Sequence, residues 1–140
     1  MATSRSGKHA SNGQFVAWDE AKVHVLSHAL HYGSSVFEGI RCYPGKNGPA
    51  IFRLSDHIER LMQSAKIYRM AVPFTQAQIE QACLETVATN GLKECYIRPL
   101  NYHGYDHDRV NPIGKQITLA IPAYPPAQSP ASLPRAPPAA

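Results

Sequence analysis

The stretch 27-SHALHYGSSVFEGIRCY-43 sets the reading of the chain. It holds three aromatic residues, two glycines, two histidines and a single carboxylate, Glu38. From Val36 to Tyr43 the residues alternate as a strand requires. Phe37, Gly39, Arg41 and Tyr43 fall on one face, and Val36, Glu38, Ile40 and Cys42 on the other. The turn sequence PGKNG follows, and AIFRL (residues 50–54) reads as the returning strand. Upstream, Asn12-Gly13 is a hairpin signal that feeds the apolar QFVAW stretch at 14–18.

Downstream, the period changes from two to 3.6. A helix is expected from Ser55, with Asp56 and Glu59 near its positive end and Ile58, Leu61, Met62 and Ala65 along one stripe; it ends before Pro73. A second helix opens at Thr75, with Gln78 in capping-box spacing. It buries Ile79, Ala82, Cys83 and Val87 and stops at Asn90-Gly91, where a left-handed residue is expected. Two further strands, ECYIRPLNY (94–102) and QITLAIPAY (116–124), complete the pattern, with Pro99 marking an edge or bulge. Strands, a helix pair and strands again describe an α+β domain over residues 12–123. It is flanked by a polar, loose segment at 1–11 and a proline- and alanine-rich tail at 124–140 that lacks hydrophobic periodicity and is expected to be disordered.

Composition narrows the function classes. At 140 residues the chain has room for one core and no second full domain. The formal charge of +4 is carried by scattered lysines and arginines rather than a basic stripe, which argues against nucleic acid. Cys42, Cys83 and Cys95 form no CxxC pair, which favours reduced thiols and a cytoplasmic setting. The first residues lack the apolar core of a signal peptide, and no apolar run is long enough to span a membrane. His24, His28 and His31 have the i, i+4, i+7 spacing of metal ligands. No cysteine or carboxylate joins them and Gly33 stops any helix there, so no metal is expected. Arg60 lies beside the apolar stripe of its helix, where a solvated arginine is the plain reading. Tyr96 and Arg98, two apart on a strand, share a face on which a phenol and a guanidinium can meet one carboxylate.

The segment DEAKVHVLSHALHYGSSVFEGIRCY (19–43) resembles the N-terminal signature of branched-chain amino-acid aminotransferases, fold-type IV enzymes that use pyridoxal 5'-phosphate. FRLSDHIERLMQSAKIYRM and YIRPL extend the resemblance, and VNP and QITLAIPAY follow it more loosely, over residues 12–123. The resemblance implies the family's small N-terminal domain and amino-group transfer between leucine, isoleucine or valine and 2-oxoglutarate. It implies Arg60 as the cofactor-phosphate ligand, and Phe37, Gly39, Tyr96 and Arg98 as the substrate pocket, Arg98 facing the distal carboxylate of glutamate. Tyr32 and Val110 match residues that enter a neighbouring subunit's pocket, which implies a homo-oligomer. The family's Schiff-base lysine matches none of Lys8, Lys22, Lys46, Lys66, Lys93 and Lys115, so no catalytic residue is assigned and the 140-residue chain alone is expected to be an inactive, truncated form. The alternatives are a non-catalytic dimerisation module, or a fragment of a related D-amino-acid transaminase or lyase.

Overall fold

The computed structural model describes residues 7–105 and 110–126. Its strands are β1 (Lys8–Ser11), β2 (Gln14–Ala17), β3 (Ser35–Phe37), β4 (Ile40–Gly45), β5 (Gly48–Ile51), β6 (Cys95–Ile97), β7 (Leu100–His103), β8 (Ile117–Ile121) and β9 (Ala123–Tyr124). Three α-helices accompany them: α1 (His28–Tyr32), α2 (Leu54–Ile67) and α3 (Gln76–Thr89). All strand pairings are antiparallel, in one sheet ordered β2-β1-β8-β7-β3 and another ordered β5-β4-β6-β9. The α+β class expected from the sequence is the one observed.

Each of the three long strands expected from the sequence is in fact two short ones, broken where the chain passes between sheets. β3 gives way to β4 at Glu38-Gly39, β6 to β7 at Arg98-Pro99, and β8 to β9 at Pro122. Proline has no amide hydrogen, so a ladder cannot continue through Pro99 or Pro122. The breaks sit side by side and are stitched together: the Glu38 amide donates to the Pro99 carbonyl and the Arg98 amide to the Pro122 carbonyl, both at 3.0 Å. Alternation survives the first crossing. Val36, Glu38, Ile40 and Cys42 are buried while Phe37, Arg41 and Tyr43 are exposed, so register across the break is held by the core face.

That face is covered by the helices. Ile58, Leu61 and Ala65 of α2 and Ile79, Cys83 and Val87 of α3 pack into one core with Ile40, Ile97, Leu119 and Ile121; α2 lies against β3, and α3 against β1 and β8. The capping box of α3 forms as expected: Gln78 N–H donates to Thr75 Oγ1 at 3.3 Å, and Thr75 N–H to Gln78 Oε1 at 2.8 Å. Its end is at Asn90, followed by Gly91 at φ +60°. Helix α2 starts at Leu54, one residue before the expected Ser55. Its cap is Arg53 in the left-handed region (φ 48°, ψ 44°), whose Nε donates to Asp56 at 2.6 Å.

Two boundaries move. Residues 8–11, expected to be loose, form β1 between β2 and β8, and Asn90 anchors that strand: its Oδ1 accepts from the Lys8 amide (2.7 Å) and its Nδ2 donates to the Lys8 carbonyl (2.8 Å). These partners are distant in sequence, so local polarity concealed the strand. At the other end Tyr124, placed in the tail, pairs with Tyr96 as part of β9. The disorder expected for the rest of the tail concerns residues 127–140, which lie outside the described residues. AIFRL contributes only Ala50 and Ile51 to β5. Among the described residues no helix is long and apolar enough to cross a membrane.

Candidate functional site

The crossing of β3 into β4 sends consecutive side chains to different places. Phe37 and Gly39 open toward Arg98 and Tyr96, brought alongside by the parallel crossing of β6 into β7. The Arg98 guanidinium carbon stands 4.7 Å from the centre of the Phe37 ring, an approach that favours cation–π attraction. Arg98 Nη2 donates to the Tyr96 hydroxyl at 3.0 Å, and Tyr96 leans on Tyr124 with ring centres 5.7 Å apart. Gly39 makes room for this phenol: a Cβ there would overlap the Tyr96 hydroxyl and stand 2.9 Å from Cζ. The four residues Phe37, Gly39, Tyr96 and Arg98 therefore form one cluster.

Within it, Arg98 Nε is buried without a hydrogen-bond partner. A guanidinium edge left with an unused donor, walled by two aromatic rings, suits a planar carboxylate. The Tyr96 hydroxyl, the largest influence on Arg98, holds it above its ordinary value, so it stays a cation. The cluster contains no lysine.

Between Phe37 and Gly39, Glu38 turns inward and is 6% exposed. Arg60 of α2 grips it with two parallel bonds, Nε to Oε1 and Nη2 to Oε2, each 2.6 Å. His57, one turn earlier on the same face, lies with Nδ1 3.0 Å from Oε2. The hydrogen bond from Arg60, partly opposed by burial and aided by His57, holds the Glu38 carboxyl below its ordinary range. Arg60 itself remains largely exposed. Its Nη1 edge is not engaged by Glu38, so this permanently charged fork retains donors for an anion such as a phosphate. Sequence reasoning noted Glu38 only as a lone carboxylate and missed His57. The i, i+3 spacing of His57 and Arg60 was the available signal, since it puts both on one helix face.

Tyr32 and Val110 form a second group organised by His28. The His28 ring lies 4.5 Å from that of Tyr32, and its Nε2 is 2.8 Å from the Val110 carbonyl. Tyr32 and Val110 are themselves well exposed. The three histidines with metal-ligand spacing are engaged separately: His24 stacks on Tyr105, His28 bonds Ser34 and Val110, and His31 bonds the Val25 carbonyl. Among the described residues no group of three His, Cys, Asp or Glu side chains is placed to hold a metal.

Comparison with known proteins places the chain in a family. Residues 35–138 match the model of amino-transferase class IV. The branched-chain-amino-acid aminotransferase of Escherichia coli (strain K12) is 46% identical over 126 residues, covering 89% of this chain and 41% of that protein. A crystal structure of the Escherichia coli branched-chain amino acid aminotransferase superposes with a TM-score of 0.83 at 46% identity, over 86% of this chain and 40% of that one. The T.th. branched-chain amino acid aminotransferase, complexed with N-(5'-phosphopyridoxyl)-L-glutamate, also gives a TM-score of 0.83, at 48% identity, over 86% of this chain and 41% of that one. The chain thus spans about two fifths of the length of the relatives it matches.

Proposed function

Since the chain belongs to the amino-transferase class IV family, we propose that it supplies the N-terminal half-site of a branched-chain-amino-acid aminotransferase using pyridoxal 5'-phosphate. When bound, that cofactor supplies the electron sink through which an amino group passes between amino acid and 2-oxo acid. Arg60 binds the cofactor phosphate with its outer edge while Glu38 holds the inner edge. Phe37 offers apolar surface to a branched side chain, and Gly39, by admitting the Tyr96 phenol, shapes the wall beside it. Tyr96 and Arg98 take a substrate carboxylate, Arg98 the distal carboxylate of glutamate, so that one pocket accepts an aliphatic chain and an acidic one in turn.

Holding and moving the proton between substrate and cofactor carbons needs a free general base at the reacting atoms. The Phe37–Arg98 cluster holds no lysine, histidine or carboxylate, and Glu38 is already paired with Arg60. On this reading the described residues orient ligands without completing a turnover. Tyr32 and Val110 extend toward the pocket of a second copy, in a homo-oligomer. The setting is cytoplasmic, in keeping with three free, buried cysteines.

The observation that carries this reading is the unused, buried Arg98 Nε between Phe37 and Tyr96. Its test is a titration of 2-oxoglutarate into the chain labelled with 15N-arginine. The Arg98 Nε–H resonance is expected to shift saturably with 2-oxoglutarate, and Tyr96→Ala to weaken the effect. No shift at Arg98, or an equal shift at every arginine, refutes the assignment. In parallel, the folded chain dialysed after exposure to pyridoxal phosphate is expected to keep no visible chromophore and to leave leucine unchanged.

A non-catalytic association module is the second reading. It is favoured by the exposed apolar side chains Val25, Leu30, Tyr32, Val110 and Ile113. Both readings allow self-association in sedimentation, so the Arg98 titration separates them: self-association with no Arg98 response leaves the module.

A further inference from the structure

We propose that His28 is a positioning residue, a buried latch that fixes Tyr32 and Val110 relative to each other; the purpose of that spacing rests on the partner-pocket reading above. Helix α1 has only five residues, yet it turns His28 inward, 5% exposed, and leaves Leu30, His31 and Tyr32 outside. One imidazole then holds several parts of the molecule. Apart from the ring, the His28 backbone amide donates to the Gly104 carbonyl at 3.3 Å, where β7 ends. Its Nε2 meets the Val110 carbonyl at 2.8 Å and its Nδ1 the Ser34 hydroxyl at 2.7 Å, while the ring packs against Tyr32.

The bonding partners fix the tautomer. A backbone carbonyl only accepts, so Nε2 must carry the proton, and in the neutral ring a bare Nδ1 accepts from the Ser34 hydroxyl. Among the described residues, the titratable groups facing His28 are Tyr32 on its own helix and His103 on β7, its ring 5.7 Å away edge-on; Lys115, before β8, bears on His103 in turn. Burial lowers His103 below its ordinary value.

A filler role and a latch role predict different behaviour in two near-isosteric variants. Glutamine carries its amide nitrogen close to the place of imidazole Nε2, asparagine close to that of Nδ1. The experiment uses the 140-residue chain without cofactor. Imidazole 15N spectra at neutral pH are expected to show His28 protonated at Nε2 and bare at Nδ1. Amide exchange is read at Ile113 and Lys115, whose amides bond the Asn111 side chain and the Pro112 carbonyl just beyond Val110, each at 3.0 Å.

His28→Asn is expected to speed exchange at Ile113 and Lys115 about tenfold, the effect of one lost hydrogen bond, while His28→Gln stays within about twofold of the wild type. Amides in α3 serve as the folding control in both. A ring protonated at Nδ1 and bare at Nε2 overturns the proposal, as does equal behaviour of the two variants; the spectrum needs only the wild type, so an unfolded variant does not shield the idea. If the spectrum and the exchange both come out as expected while His28→Asn leaves self-association unchanged, the latch stands and the partner-pocket reading falls.

Discussion

Replacing Gly39 by alanine tests the geometry of the candidate pocket at its tightest point. The new methyl would overlap the Tyr96 hydroxyl and stand 2.9 Å from Cζ, against about 3.5–4.0 Å for an unstrained carbon–carbon contact. The end of the ring must therefore retreat, and two contacts resist: the 3.0 Å bond from Arg98 and the packing on Tyr124. A hydrogen bond to a charged group contributes about 1.5–3 kcal/mol, and the lower end applies because Tyr96 is only half-buried. Crowding adds about 1 kcal/mol, and the stiffer unfolded chain returns about 0.5 kcal/mol. Gly39 is not among the residues with positive φ, so no backbone strain confuses the result. The net loss is about 2 kcal/mol, which at a slope of about 2 kcal/mol/M lowers the urea midpoint by about 1 M. Repeating the substitution in a Tyr96→Ala background removes the obstacle, and there Gly39→Ala is expected to be neutral or slightly stabilising. An equal loss in both backgrounds would refute the argument that Gly39 exists to admit the phenol.

Other consequences follow from the same contacts. Glu38→Gln should cost about 1 kcal/mol at pH 7, a modest figure because Arg60 is largely exposed. The folded-state pKa of Glu38 is lowered, so its contribution is complete above the unfolded pKa and is lost as pH falls through the lower folded value. Urea midpoints of wild type and variant should therefore converge below about pH 4 and separate toward neutrality; a gap that widens in acid contradicts the pairing with Arg60. Thr75→Ala should lower stability by about 1 kcal/mol through loss of the α3 cap, and a mutant that also replaces Gln78 should lose little more, because the two act as one unit. Burial pushes the thiols of Cys83 and Cys95 up to about 12, and Cys42 is raised for the same reason. A disulfide reagent at pH 8 should consume them far more slowly in the native protein than in urea; rapid native reaction would mean that β4, β6 and α3 open readily.

The two long helices, α2 and α3, were legible because their signals are local, whereas the five-residue α1 was not expected. The stripe Ile58–Leu61–Ala65 and the Thr75–Gln78 box depend on residues within two turns of one another, and both occur as read. The breaks in the strands were less visible. Pro99 announced an interruption and Pro122 went unread, and a passage from one sheet to another depends on three strands breaking at one level, which no single stretch records. Strand β1 exists because of β8 and Asn90, far along the chain. At the site, two-residue spacing showed only that Tyr96 and Arg98 share one strand face and Phe37 and Gly39 another; their place in a pocket was implied by the family resemblance. That all four converge follows from the Arg98-Pro99 crossing lying beside the Glu38-Gly39 crossing. The same crossing directs Glu38 inward to Arg60 and His57, a contact between strand and helix that periodicity alone does not specify.

The central claim is that these residues form the phosphate and carboxylate walls of an aminotransferase pocket. It is tested most directly by splicing the chain in place of the corresponding segment of the Escherichia coli relative and measuring transamination from each amino-acid substrate. The account predicts turnover of leucine with 2-oxoglutarate, with Arg98→Ala raising KM for glutamate far more than for leucine and Arg60→Ala weakening retention of pyridoxal phosphate. A chimera that retains the cofactor and turns over substrate, yet treats glutamate and leucine alike after Arg98→Ala, would contradict it.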